Sequence, residues 1–123
     1  MIKCTPLGGV RRALAVAEAT GLPCVVSSAL ETSVGLAAQL ALAAALPELD
    51  FACGLGTLSL LTEDLVTPEA SLRPIDGFIP VPALAPEPVS ASLVEVALRD
   101  QERAAWWSAR LARAALHLPL SGT

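Results

Sequence analysis

Cys24-Val25-Val26-Ser27-Ser28-Ala29-Leu30-Glu31-Thr32-Ser33 decides how the rest of the chain is read. Cys24-Val25-Val26 is a β-branched run without polar alternation, as in a strand buried on both faces, and strands of that kind belong to parallel sheets. Ser27 to Ser33 is a loop in which Ser33 can cap the next helix and Glu31 reads as a first-turn helix charge. Val34 to Leu46 is then a helix apolar almost all round, with Gln39 its only strongly polar member. Such a helix must be covered by protein on more than one side.

The same unit recurs on both sides of this stretch. Upstream, Ile2 to Thr5 reads as a short extended segment ended by Pro6. Gly8-Gly9 form the turn after it, and Val10, Ala13, Leu14 and Ala17 lie at helical spacing. Gly21 and Pro23 stop that helix. Downstream, Leu49 to Cys53 leads through Gly54-Leu55-Gly56 to a short helix from about Leu58, with Thr57 as candidate cap. Strand–helix alternation with connections of this length implies parallel strands and right-handed crossovers. From Thr67 to Pro88, prolines at 68, 74, 80, 82, 86 and 88 leave little room for regular elements. Asp76-Gly77 marks a turn beside a brief edge strand at Phe78-Ile79. Ser90 to Leu98 is compatible with strand or helix. A final helix begins after Asp100 as N-cap, with Trp107, Leu111, Ala114 and Leu118 as its buried stripe.

Three parallel strands have two open edges, and the helices here are too few to cover both faces. The sequence therefore reads as part of a larger α/β structure whose edges offer a route to self-association.

Composition narrows the function classes. The chain has 123 residues, is 54% hydrophobic and carries a net charge of -4, which excludes a disordered segment. No basic face is available for a phosphate backbone, so nucleic acid is not an expected partner. The run from Val34 to Leu46 is shorter than the 20 or so residues of a spanning helix, so no membrane partner is expected either. No charged stretch leading into an apolar core marks a secretory signal, and Cys4, Cys24 and Cys53 lack Cys-x-x-Cys spacing. They read as small buried hydrophobes in a reducing cytoplasm.

Few residues carry chemistry. Lys3 lies on a segment otherwise suited to burial, where it is either an acid/base or cation facing a developing anion, or a solvated lysine near a terminus. Ser27 and Ser28 lie just past the central strand at its C-terminal end, where α/β sites collect. Their hydroxyls either hold a carboxylate or satisfy loop backbone. A nucleophilic serine is not expected, because no Gly-x-Ser-x-Gly elbow exists and the only histidine, His117, is in the last helix. Gly8-Gly9 and Gly54-Leu55-Gly56 precede helices and could present amides to an anion, without matching a phosphate-loop fingerprint. Adjacent Glu63 and Asp64 do not face a common point, and no metal site is expected from this chain alone.

Together, Lys3-Cys4-Thr5-Pro6-Leu7-Gly8-Gly9, the stretch Pro23 to Gly35 and Ala52-Cys53-Gly54-Leu55-Gly56-Thr57 resemble the o-succinylbenzoate synthases of the enolase superfamily, in their actinobacterial form. The likeness continues through Leu61-Thr62-Glu63-Asp64, the Asp76-Gly77 turn and the tryptophan-bearing last helix. It implies an α/β fold: the C-terminal part of a modified (β/α) barrel, with strands six to eight and their helices in residues 1–66. Residues 67–123 would be an irregular proline-rich return segment and a terminal helix contributing to the capping region. It implies Lys3 as a catalytic residue and Ser27, Ser28, Gly54 and Gly56 as binding a small carboxylate substrate. The implied reaction is the syn dehydration that yields o-succinylbenzoate in menaquinone synthesis. Its magnesium ligands and Lys-x-Lys base are absent from this sequence, so magnesium is a cofactor of the complete enzyme and this chain alone is expected to be inactive. An N-acylamino acid racemase or dipeptide epimerase, and a non-catalytic interaction protein, are the alternative readings.

Overall fold

In the computed structural model, which describes residues 1–117, the helices of the first half end where glycine and proline dictate. Helix α1 spans Cys4–Leu7, α2 Val10–Thr20 and α3 Ser33–Ala45. Two 3₁₀ turns come next, at Gly56–Leu60 and Pro68–Ala70. Gly21 closes α2 in the left-handed region at φ 60, its N–H returning to the Ala17 carbonyl. A side chain at this position would be strained.

The expected strands shrink to single bridges. Ile2 pairs in parallel with Val26, and Ser27 in parallel with Gly54. The Ile2 N–H donates to Val25 O (2.8 Å) and the Ser27 N–H to Ile2 O (3.0 Å). On the other side, the Gly54 N–H donates to Val26 O (2.9 Å) and the Ser28 N–H to Gly54 O (3.0 Å). The segment 25–28 is thus central, flanked by the segments of Ile2 and Gly54, in the parallel sense. No longer ladder forms among the described residues, because the flanking segments turn into helices at once. The expectation of an extended segment through Thr5 is corrected: the chain enters α1 at Cys4, with Pro6 in the first turn, where its missing N–H removes no helical bond.

The core lies between this bridge layer and the helices. Ile2, Cys4, Ala13, Val26, Leu36, Leu40 and Leu55 form one buried cluster, with Val10, Leu14 and Ala17 of α2 packed against it. In α3 the buried set is Ser33, Leu36, Ala37, Gln39, Leu40, Leu42 and Ala43. At 100° per residue these cover more than half the circumference, so α3 is enclosed as its composition demands. Leu42 is fully buried. Leu42→Ala is expected to cost about 2–5 kcal/mol, read from the urea midpoint; a cost near zero would mean that α3 has an open face.

Asp76 (φ 51) and Gly77 (φ 82) form a tight turn closed by reciprocal Ile75–Phe78 bonds of 2.9 Å. Two successive positive φ values are the type I′ signature that Asp-Gly favours. The expected edge strand at Phe78-Ile79 is no more than this bridge.

These elements belong to a compact unit, Met1–Val89; a second unit begins at Ser90. There, Ser90–Arg99 resolves to a helix, α4, and α5 spans Gln101–Ala115. Asp100 caps α5 as expected, accepting the Arg103 N–H at 2.9 Å. The expected buried stripe is corrected. Trp107 and Leu111 are exposed, and no described residue of either helix is buried; a pair of helices by itself cannot enclose an apolar stripe. Leu118 lies outside the described residues. Trp106 and Trp107 instead meet edge to face at 4.8 Å, with the Arg110 guanidinium 5.6 Å from the Trp106 ring.

Candidate functional site

Lys3 stands at the junction of the first bridge and α1, in extended conformation (φ −133, ψ 128). Half-buried there, its Nζ donates to Ser27 Oγ (3.0 Å) and to the Ser28 carbonyl. Ser28 is buried, and its hydroxyl is bonded to Thr57 Oγ1. A Cβ placed on Gly54 would meet Ser27 Oγ at 3.4 Å, so glycine lets the third segment approach the serine closely. Lys3, Ser27, Ser28 and Gly54 therefore converge at one end of the three parallel segments. Both oxygens that receive the lysine are uncharged, which leaves its positive charge available to an anion. Gly56 opens the adjacent 3₁₀ turn, and a Cβ there would lie 3.8 Å from Pro74 Cγ.

Several expectations change. Thr57 is not a cap; it lies inside the 3₁₀ turn and spends its hydroxyl on Ser28. The Gly8 and Gly9 amides close α1 onto Thr5 O (3.1 Å) and Cys4 O (3.0 Å), so they do not face an anion. The Gly54 amide is likewise committed to Val26 O. Ser33 is the first residue of α3 and ties the helix to distant chain: its hydroxyl donates to Asp64 Oδ2 (2.5 Å) and accepts the Leu72 N–H (2.9 Å).

Glu31 departs furthest from its expected part. It precedes α3, and its Oε1 accepts from Gln39 Nε2 (2.9 Å) and Thr5 Oγ1 (3.0 Å), while Oε2 accepts the Ala29 N–H (2.5 Å). Gln39, fully buried, uses its own Oε1 to accept the Cys4 N–H at 2.9 Å. Burial pulls the Glu31 carboxyl upward, yet the bonds from Gln39, Ala29 and Thr5 outweigh it and hold the group below the usual carboxylate range. Burial, and then the Glu31 charge, push the Cys4 thiol up, which favours its protonated form. All three cysteines are free.

The sequence offered one signal for this network: a single amide in an otherwise apolar helix. A buried amide must find partners, but nothing in the spacing says that they are Cys4 and Glu31. Asp64 was missed for the same reason, its partners Ser33 and Ser71 being remote in the chain.

Among the described residues, no three His, Cys, Asp or Glu side chains cluster so as to hold a metal ion. No helix among them is long and apolar enough to cross a membrane.

Residues 1–86 match the family described as Enolase C-terminal domain-like. Over 93% of its length the chain is 54% identical to an o-succinylbenzoate synthase of Thermobifida fusca, covering 33% of that protein. Its identity to those of Mycobacterium bovis and Mycobacterium leprae is 47% and 43%, each over 90% of the chain and about a third of the relative. The chain thus spans about a third of the length of the curated relatives it matches.

Proposed function

The chain belongs to the enolase C-terminal domain-like family, and from that premise we propose that it is the C-terminal part of an o-succinylbenzoate synthase. On this reading residues 1–66 supply barrel strands six to eight and residues 67–123 return towards the cap. The observation that carries it is the meeting of the Lys3 ammonium with Ser27 and Ser28 at one end of the parallel segments.

The chemistry asked of these residues is limited. Transfer of a proton from the carbon beside a carboxylate to the base leaves the C–H bonding pair as an enolate, and return of that proton to the departing β-hydroxyl releases water and completes the alkene. Charge accumulates on the carboxylate oxygens, and a fixed cation beside them lowers the barrier. Lys3 is that cation, on the face opposite the base, and its mobile proton also suits it to act as acid. Ser27 and Ser28 orient the substrate's carboxylate-bearing arm, and Gly54 lets the third segment come close enough to complete this end of the site, beside Gly56. The described residues do not fit a magnesium site; magnesium and the proton-abstracting lysine belong to parts of the complete enzyme outside this chain, which act in the cytoplasm.

Reconstitution tests the proposal. The chain is co-expressed with the segment of the Thermobifida fusca relative that precedes the matched region. Formation of o-succinylbenzoate is then assayed beside racemisation of an N-acylamino acid. The chain alone is expected to give no dehydration, and the pair to give activity that tracks the amount of complex. Turnover by the purified chain, proportional to its concentration, would overturn the incomplete-site reading; racemisation without dehydration would favour the racemase alternative. A soluble complex in which Lys3→Ala changes nothing would favour an interaction protein.

A further inference from the structure

We infer that Glu31, with Gln39, is the positioning residue that sets where the Lys3 ammonium points. The inference rests on the proposed role of Lys3 and concerns a carboxylate that does not touch that lysine.

The Lys3–Ser28 contact has two ends, and the Glu31–Gln39 pair holds both. At one end Gln39 Oε1 grips the Cys4 N–H, the amide immediately after Lys3. At the other, Glu31 Oε2 grips the Ala29 N–H, the amide immediately after Ser28. A 2.9 Å bond from Gln39 Nε2 to Glu31 Oε1 joins the two grips. One carboxylate and one amide thereby fix the distance between the segment bearing the lysine and the loop that receives it. The chain departs from easy geometry to make this possible. Leu30 is left-handed at φ 66, a conformation unfavourable for a leucine, and it turns the Glu31 carboxylate back onto Ala29. A Cβ on Gly35 would stand 2.8 Å from Glu31 Cβ and Cγ, so the glycine leaves the passage through which this side chain runs. Those are atoms near the root of the side chain, which cannot swing aside.

Lys3 is the only lysine in the sequence, so acylation of ε-amines in the 123-residue chain reports on it alone, with the Met1 amine as internal reference. The donor–acceptor pattern predicts an order among variants. Gln39→Glu sets two carboxylates face to face and disrupts most. Glu31→Gln keeps one carbonyl for the three donors Gln39 Nε2, Thr5 Oγ1 and Ala29 N–H, and disrupts less. The double exchange, Glu31→Gln with Gln39→Glu, re-forms the network with the Thr5 hydroxyl reversed: the new amide accepts from Ala29 and donates to position 39 and to Thr5 Oγ1, and the new carboxylate accepts from Cys4 and from the Thr5 hydroxyl. Lys3 acylation is expected to rise about tenfold in Gln39→Glu and to return to within about twofold of the parent in the exchange. Leu42→Ala, lowered in stability without removing a hydrogen bond of the network, is the control, compared under conditions where each variant is equally folded. If Leu42→Ala raises Lys3 reactivity as much as Gln39→Glu does, or the exchange fails to restore it while restoring stability, Glu31 is structural only and the inference is wrong. Should Gln39→Glu not fold, Glu31→Gln against the exchange gives the same reading. Because the measurement is independent of turnover, it can succeed while reconstitution fails, and the reverse.

Discussion

Lys3→Ala, introduced into the chain paired with the preceding Thermobifida segment, is expected to lower kcat for dehydration by about 10²–10⁴-fold, the usual contribution of a positioned acid or base. KM should change far less. Nζ is held by Ser27 Oγ and the Ser28 carbonyl, so the charge is in place before substrate arrives and its interaction grows as the carboxylate becomes an enolate. Lys3→Arg divides the two roles. An arginine keeps the charge but gives up no proton near neutrality. If Lys3 acts as a fixed cation, the arginine variant retains a substantial share of kcat; if it transfers a proton, arginine is as poor as alanine. A loss confined to KM in Lys3→Ala would show that the residue only binds substrate.

The placement of the serine loop at one end of the parallel segments could be read from the sequence because its signals are local, whereas Lys3 is singled out by the family resemblance. Val25-Val26 needs a buried parallel neighbour, and polar residues just beyond such a segment fall at one end of the sheet. The ends of α2 at Gly9 and Gly21, and the cap at Asp100, were legible for the same reason. Length of pairing was not legible. Whether Ile2 continues into a ladder depends on neighbours in space, and here α1 starts too soon. Nor could the network behind the lysine be foreseen: Gln39 finds Cys4 across 35 residues. The apolar spacing in α5 marks a face suited to burial but does not supply a partner, and Trp107 and Leu111 remain exposed.

Asp64→Ala is expected to be among the most damaging substitutions to the stability of the first unit, costing about 3 kcal/mol in urea unfolding. Typical domains hold about 5–15 kcal/mol in all, so this is a large share. Asp64 Oδ1 accepts the Ser33 N–H (3.0 Å) and the Leu65 N–H (2.9 Å), and Oδ2 accepts the hydroxyls of Ser33 (2.5 Å) and Ser71 (2.9 Å). One carboxylate thus meets the start of α3, where the helix dipole favours negative charge, and fastens it to the segment leading to buried Leu72. Removing it leaves a cluster of donors with no acceptor, whereas Ser71→Ala removes a single bond and should cost about 1 kcal/mol. Burial pulls the Asp64 carboxyl upward, but the bonds from Ser33, Ser71 and Leu65 prevail and hold it below its ordinary value. Glu31 is held low in the same way. A carboxylate whose folded-state pKa is depressed stabilises the fold fully above its unfolded value, about 3.9 for Asp and 4.3 for Glu, and that contribution is lost as pH falls through the lower folded value. Stability should therefore be level above about pH 5.5 and decline steadily below about pH 4. Asp64→Asn should flatten the acid decline while lowering the plateau. An acid limb of unchanged slope in that variant would mean that the Asp64 carboxylate is not what couples folding to protons.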